Sequence, residues 1–354
     1  MSPVPIPILK ALNLPTDPQN CTLDSSGLGS GFTSTAILNA TTTSETNTHQ
    51  QRKYFIKTSQ DGPAAKEMFH GEYESLNAIA DAVPGFCPRA LAWGPLDEKN
   101  GYFLATEFLD LRSSRNRGSS GDEMNSLAYR LGKLHTTPAP VDPVTGRSRY
   151  GFPVPTFCGD TRQSNTFYDS WADFYANERL LTILASSEKR NGRDAGLRDL
   201  VEKTARIVVP RLLGDEHLGY NIHGEGVGLQ PVVVHGDLWS GNADRGRIVG
   251  NGNERDEEEE EVVVGDVVYD PSACYAHSEF ELGIMGMFGG FGGRFFEDYH
   301  RIVPRTEPVE EYEDRVRLYE LYHHLNHHAI FGGGYRSGAV SIMQKLLRKY
   351  SDGQ

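Results

Sequence analysis

Apolar and polar positions along the chain change period about a third of the way through. The first third carries strand-like runs, Lys53-Tyr54-Phe55-Ile56-Lys57 and Tyr102-Phe103-Leu104-Ala105-Thr106-Glu107-Phe108-Leu109. Between them, Pro63 to Ala80 reads as a helix: Phe69, Leu76 and Ile79 recur at helical spacing, and proline in the first turn gives up an N–H that has no partner there anyway. Glu72 shares that apolar stripe and Glu74 does not. An acid on a buried stripe needs a partner, and Lys57 on the preceding strand is the natural one. The plainer alternative is an ordinary strand lysine and a glutamate that reaches water. The Thr/Asn/Gln-rich segment from Asn39 to Gln51 reads as a loop, and Asp110 to Gly121 as a Ser/Arg/Gly-rich linker.

After the linker the period is helical. Met124 to Leu134 carries Leu127, Leu131 and Leu134 on one face, closed by His135, and Trp171 to Leu184 and Leu197 to Leu213 are further helices. Thr136 to Thr166 reads as loop, and no internal repeat is evident. Two β-branched runs interrupt the helices, Val232 to Val234 and Val262 to Val268. Helices then close the chain, with Val316, Leu318, Leu321, Tyr322 and Leu325 on one stripe.

Composition narrows the class without naming a function. The 354 residues are enough for two lobes, 38% are hydrophobic and 23% charged, and no apolar run approaches the ~18 residues that would span a bilayer. Met1 to Lys10 fits neither a secretory signal nor a transit peptide, so a cytoplasmic protein is expected, with no membrane partner. Four scattered cysteines without a CxxC pair argue against a disulfide framework or a zinc site. A net charge of -13 argues against a nucleic-acid partner. Much of that charge sits in an acidic insertion over 250–261, where Glu254 to Glu261 places seven acids and one base in eight residues. It reads as a solvated segment between two strands or as a patch that attracts basic substrates. No feature of the sequence bears on oligomeric state.

The candidate chemistry gathers around Val232-Val233-Val234-His235-Gly236-Asp237-Leu238-Trp239-Ser240-Gly241-Asn242. A strand breaks into a glycine-punctuated loop that presents Asp237 and, five residues later, Asn242. An aspartate there can take a proton from a substrate hydroxyl and an asparagine can hold magnesium, the layout of a phosphotransferase. The second β-branched run offers Asp266 or Asp270 as a further metal ligand. Asp270, which ends the run before Pro271, is favoured, and Asp266 reads as a bulge or turn. Ser25 to Thr35 has three glycines at alternate positions, Gly27, Gly29 and Gly31, followed by hydroxyl residues, which suits either a phosphate-cradling loop or a plain hairpin turn. Gly286 to Gly293 lacks the Lys-Ser/Thr of a Walker loop. His323, His324, His327 and His328 stand at i, i+4 spacing without an adjacent HExxH-type acid, which makes a packing role the better reading.

Taken together these residues resemble the ketosamine-3-kinase (fructosamine-3-kinase) family, a branch of the aminoglycoside and choline kinase-like proteins. The match runs from about Gly27 to Tyr350. It rests on His235 to Asn242 (HGDLWSGN), Tyr269-Asp270-Pro271, His277 to Leu282, Met287 to Phe291, Leu325-Asn326-His327, Tyr335-Arg336-Ser337 and Met68 to Glu72. The resemblance implies an α+β, bilobal protein-kinase-like fold with a β-rich N-lobe and a mainly helical C-lobe. Its parts would be an N-terminal extension over 1–22, an N-lobe over 23–109 with an antiparallel sheet and one helix, a linker over 110–121 and a C-lobe over 122–354.

The implied reaction is ATP-dependent phosphorylation of the 3-hydroxyl of a ketosamine on a protein lysine or a small amine, leading to deglycation. It implies Asp237 as base and Asn242 and Asp270 as Mg2+ ligands, settling the choice over Asp266. Gly29, Ser30, Gly31, Phe32, Thr33, Ser34, Lys57, Glu72, Glu107, Phe108 and Leu109 count as the ATP-binding residues. Trp239, His277 and Glu279 would contact substrate, with loop or core packing as their alternative. Two departures stand out: Phe32 occupies the place where many members carry a cysteine, and the acidic insertion replaces a short turn. Competing readings are a kinase for an aminoglycoside or choline-like metabolite and a pseudokinase binding module. Base, metal ligands and lysine in the expected order weigh against the last.

Overall fold

Two units emerge from the packing, Met1–Leu127 with Ala243–Asp270, and Ala128–Asn242 with Pro271–Gln354. The computed structural model describes residues 3–17, 19–25, 33–43, 49–96, 100–111, 123–143, 145–249 and 264–351. The Gly-rich residues Gly29, Ser30, Gly31 and Phe32, most of the linker and the acidic insertion lie outside them.

The first unit is an antiparallel sheet. Strands β1 (Cys21–Ser25), β2 (Ser34–Thr43), β3 (His49–Ser59), β4 (Ala90–Pro95) and β5 (Tyr102–Asp110) are joined, late in the chain, by β9 (Ala243–Val249) and β10 (Gly265–Val268). Their order is β1-β2-β3-β5-β9-β10, with β4 also on β5. β5 serves both neighbours because its two ends pair differently. Tyr102 to Thr106 meets β4, and Phe108 to Asp110 meets β9. Leu38, Ala40, Tyr54, Ile56, Phe103 and Ala105 are buried with Ile8 and Leu9 of the short helix α1 (Ile6–Ala11). Helix α2 (Pro63–Ala82) packs on β4 and β5 through its predicted stripe, with Phe69, Leu76 and Ile79 all buried.

Three expectations need correction here. The segment read as loop over 39–51 supplies the end of β2 and the start of β3. Its threonines are β-branched and suit a pleated surface despite their polarity. Asp266 is neither bulge nor turn: it lies within β10 opposite Arg245, and its Oδ2 accepts the Leu127 N–H at 2.7 Å, where helix α3 (Leu127–Thr136) begins. That carboxylate caps an otherwise unpaired helical N–H, and only a single 3-10 turn, Glu123–Asn125, precedes the helix. Finally, the hairpin β9–β10 falls in what the sequence division treated as the C-lobe, whereas its strands extend the first unit's sheet.

The second unit is mainly helical. It contains the hairpin β6 (Thr156–Cys158) and β7 (Thr161–Gln163) within the segment read as loop, then α4 (Trp171–Phe174), α5 (Thr182–Asn191), α6 (Ala195–Lys203) and α7 (Val209–Leu213). The two long helices expected at 171–184 and 197–213 exist, each interrupted by a turn of π-helix, at Tyr175–Leu181 and Thr204–Val208. β8 (Val232–Val234) pairs with β11 (Cys274–Ala276), and α8 (Leu282–Met287), α9 (Gly293–Ile302), α10 (Tyr312–Phe331) and α11 (Tyr335–Tyr350) follow. Trp171, Tyr175, Phe280 and Tyr319 form the aromatic centre of this unit.

Candidate active site

In the first unit the strand lysine and the helix glutamate do meet. Lys57 Nζ lies 2.6 Å from Glu72 Oε1 and 2.7 Å from Asp270 Oδ1. Burial disfavours charge here: it opposes the Lys57 ammonium and pushes the Glu72 carboxyl up. Two facing carboxylates outweigh that cost for Lys57, whose pKa is held above its ordinary value. Asp270 is less enclosed, with half of its side chain exposed, and its φ of 58° is in the left-handed region that an aspartate tolerates better than most residues. Asp270 is thus a strained, partly open carboxylate two residues beyond the end of β10, a placement common at functional sites. Thr35 stands opposite Lys57 in the β2–β3 register, and Ser34, the first residue of β2, stands opposite Thr58. Among the other residues counted with the nucleotide, Glu107 accepts the Arg89 N–H at 2.9 Å, and Phe108 and Leu109 pair with β9.

In the second unit β8 is wholly buried and delivers the Asp237 loop. Gly236 has φ of 81°, and a Cβ there would lie 2.2 Å from the Ser272 carbonyl oxygen, so the turn requires glycine twice over. The loop is fastened from below by Glu281, a residue sequence reasoning passed over. Its carboxylate accepts the His235 N–H at 2.5 Å and the Gly236 N–H at 3.1 Å, with His135 Nε2 3.7 Å away. Burial raises the Glu281 pKa, but the two histidines and the backbone N–H lower it further, so it stays ionised. The available signal was an acid inside the apolar run Phe280 to Met285, which demands a partner.

Asp237 itself is only partly buried. Asn242 Nδ2 donates to the Asp237 backbone oxygen at 2.9 Å, closing the loop on itself. Beneath the carboxylate, the donor atoms of Cys158, Asp237 and His323 lie within 4.8 Å of one another. Asn326 Nδ2 donates to Cys158 Sγ at 3.2 Å. Burial first, and then the Asp237 charge and hydrogen bond, push the thiol well above its usual pKa. The sulfur therefore keeps its proton and donates it toward Asp237, a positioning contact absent from the sequence-based site. Trp239, 41% exposed, lies across Gly241, where a Cβ would come within 2.1 Å of the indole.

Two predicted substrate contacts are displaced by this geometry. His277 is 2% exposed, with Nδ1 on the Tyr319 hydroxyl and Nε2 on the Thr306 hydroxyl, both at 2.8 Å. Glu279 holds Arg315 and the Thr306 N–H, at 2.8 Å to each. Both side chains spend their polar atoms on the core, so core packing is their role. His327 Nδ1 faces the His323 carbonyl at 2.8 Å, again a packing arrangement.

The family model for fructosamine kinase matches residues 31–349. The chain belongs to the fructosamine kinase family. Among relatives, it is 30% identical to mouse ketosamine-3-kinase over 308 residues, 84% of this chain and 88% of that protein. It is 33% identical to the chloroplastic protein-ribulosamine 3-kinase of Oryza sativa subsp. indica over 297 residues, 83% of this chain and 72% of that one. The crystal structure of a candidate fructosamine-3-kinase from Thermobifida fusca superposes with a TM-score of 0.68 at 22% identity, covering 98% of this chain and 99% of that one. The fold of this fructosamine kinase family member is thus the protein-kinase-like one, with a sheet-rich first unit and a helical second. Hard oxygen donors suit magnesium, and the half-exposed Asp270 carboxylate and the Asn242 amide oxygen are of that kind, whereas the Cys158–His323 pair is too soft for it.

Proposed function

We propose that the chain is an ATP-dependent kinase that phosphorylates the 3-hydroxyl of ketosamines, the adducts of sugars with amines such as protein lysine, with Asp237 as general base. The observation that carries this reading is the Asp237 loop: a partly exposed carboxylate, held from below by Glu281 and Cys158, with Trp239 two residues away. Asp237 takes the hydroxyl proton as the oxygen bonds to the γ-phosphorus and the bond to the β,γ-bridging oxygen breaks, releasing ADP, a contribution of about 10²- to 10⁴-fold in rate. Lys57, oriented by Glu72, binds the α- and β-phosphates. Asp270 and Asn242 would hold magnesium, and the bound ion would neutralise charge on the β- and γ-phosphates. Trp239 stacks on the sugar. A phosphate at C3 makes the adduct prone to eliminate inorganic phosphate, water then hydrolyses the remaining carbon–nitrogen bond and frees the amine, and the outcome is repair of glycated protein.

Mouse ketosamine-3-kinase and the rice protein-ribulosamine 3-kinase support this acceptor class over aminoglycosides and choline. Four free, buried cysteines suit a reducing cytoplasm, and among the described residues no helix is long and apolar enough to cross a membrane. The test is phosphate transfer from ATP to ribuloselysine and fructoselysine beside kanamycin and choline. Turnover confined to the ketosamines is expected, and turnover only on the other two would overturn the reading.

A further inference from the structure

Exposed aromatic side chains on a soluble surface are usually scattered, and a continuous run of them marks a binding surface. On the second unit five aromatic rings form a run in which three, Trp239, Phe288 and Phe331, are exposed and two, His327 and Tyr335, are half-buried between them. Trp239 meets Phe288 edge-on at 6.2 Å between centroids, and Phe288 meets His327 at 5.0 Å. His327 touches both Phe331 at 5.7 Å and Tyr335 at 5.1 Å. The rings come from four separate places: the loop after β8, the residue that follows α8, the end of α10 and the start of α11. Trp239, Phe288 and Phe331 are 41%, 42% and 66% exposed, so the fold leaves much of their apolar area in water.

We propose that this strip is the recognition surface for the amine-bearing part of the acceptor, and that Phe288 and Phe331 set a preference for lysines carried on polypeptide over small amines. The inference rests on the ketosamine reading above. Its occupant follows from continuity with the site: the strip starts two residues from Asp237, so the group attached to a sugar poised there leaves along it. In a ketosamine the amine nitrogen is bonded to C1, two carbons from the reacting C3 hydroxyl, and is cationic at neutral pH. Trp239 is the best ring type for such a cation. His327 does not oppose it, because burial lowers its pKa and keeps the imidazole neutral. Beyond the nitrogen, the lysine methylenes and the peptide that carries them meet Phe288, then Phe331.

The experiment compares wild type with Phe288→Ala, Phe331→Ala and the double variant, each as the full chain. Two acceptors are used, a peptide bearing N-ribulosyl-lysine and N-ribulosyl-methylamine. The ratio of kcat/KM for the peptide to that for the methylamine adduct is expected to fall about tenfold or more in the double variant, chiefly through KM for the peptide. Direct titration of the ribulosylated peptide, which needs no turnover, is expected to show the same loss of affinity. An unchanged ratio and unchanged peptide affinity overturn the proposal, and so does an equal loss on both acceptors, which would mean that the rings only support the loop. Should wild type turn over neither adduct, the ketosamine reading fails separately, while the titration still decides whether the strip binds the peptide.

Discussion

At Asp237 the carboxylate sits where three constraints meet: Glu281 under the loop, Asn242 across its backbone and the Cys158 thiol beneath. Asp237→Asn is expected to lower kcat by about 10²- to 10⁴-fold while leaving nucleotide affinity and thermal stability near wild type. A fall of less than tenfold would remove the base assignment. Cys158→Ala deletes the hydrogen bond toward Asp237, and a kcat loss of roughly tenfold is expected, with KM for ATP unmoved. Cys158→Ser restores a donor and should recover most of that loss, which a purely steric role would not allow. For the lysine trio, Asp270→Asn is the cleaner probe, because asparagine tolerates the left-handed backbone and only the charge is removed. It should abolish turnover at low magnesium and leave the fold intact, as circular dichroism and the melting temperature would report.

Among the elements, α2 and the strand of Lys57 were legible from the sequence because periodicity and the demand of a buried acid for a partner point the same way. The pairing of Lys57 with Glu72 is the outcome. The Thr-rich hairpin β2–β3 was not legible, since polar β-branched residues look like loop until a neighbouring strand supplies the ladder. Nor was Asp266 as the N-terminal partner of α3, a contact made across 139 positions of sequence. The motif residues Asp237, Asn242 and Asp270 stand out in the sequence as candidates, but what holds them does not. Glu281 and Cys158 act through distant segments, and His277 and Glu279 follow the same signature while facing inward. Glu281→Gln puts an amide NH2 where two backbone N–H groups need an acceptor. With each unpaired group costing about 1–3 kcal/mol, a drop in stability of that order and a loss of activity are expected. A melting temperature equal to wild type would show that the loop does not depend on Glu281.

On the scale of the whole molecule, the buried histidines tie stability to pH. The pKa of His277 is lowered to about 4 by burial first, with Arg315 and His135 adding to it. Its stabilising share is therefore complete above the unfolded value near 6.5 and is lost as pH falls from there toward 4, at most about 3 kcal/mol. His323, also lowered by burial, acts in the same direction. Urea midpoints are expected to fall between pH 7 and pH 5, and the slope should flatten in His277→Gln; a slope unchanged by that substitution would mean that another group titrates. Family membership, the paired lysine and the anchored Asp237 loop converge on transfer of phosphate to a sugar hydroxyl beside an amine. The most direct measurement is phosphorus NMR of the product formed from ATP and ribuloselysine by wild type and by Asp237→Asn. A 3-phosphate signal that grows with wild type and is suppressed at least a hundredfold in the variant is the expected result. Phosphate at another position, or equal rates for the two proteins, would contradict it.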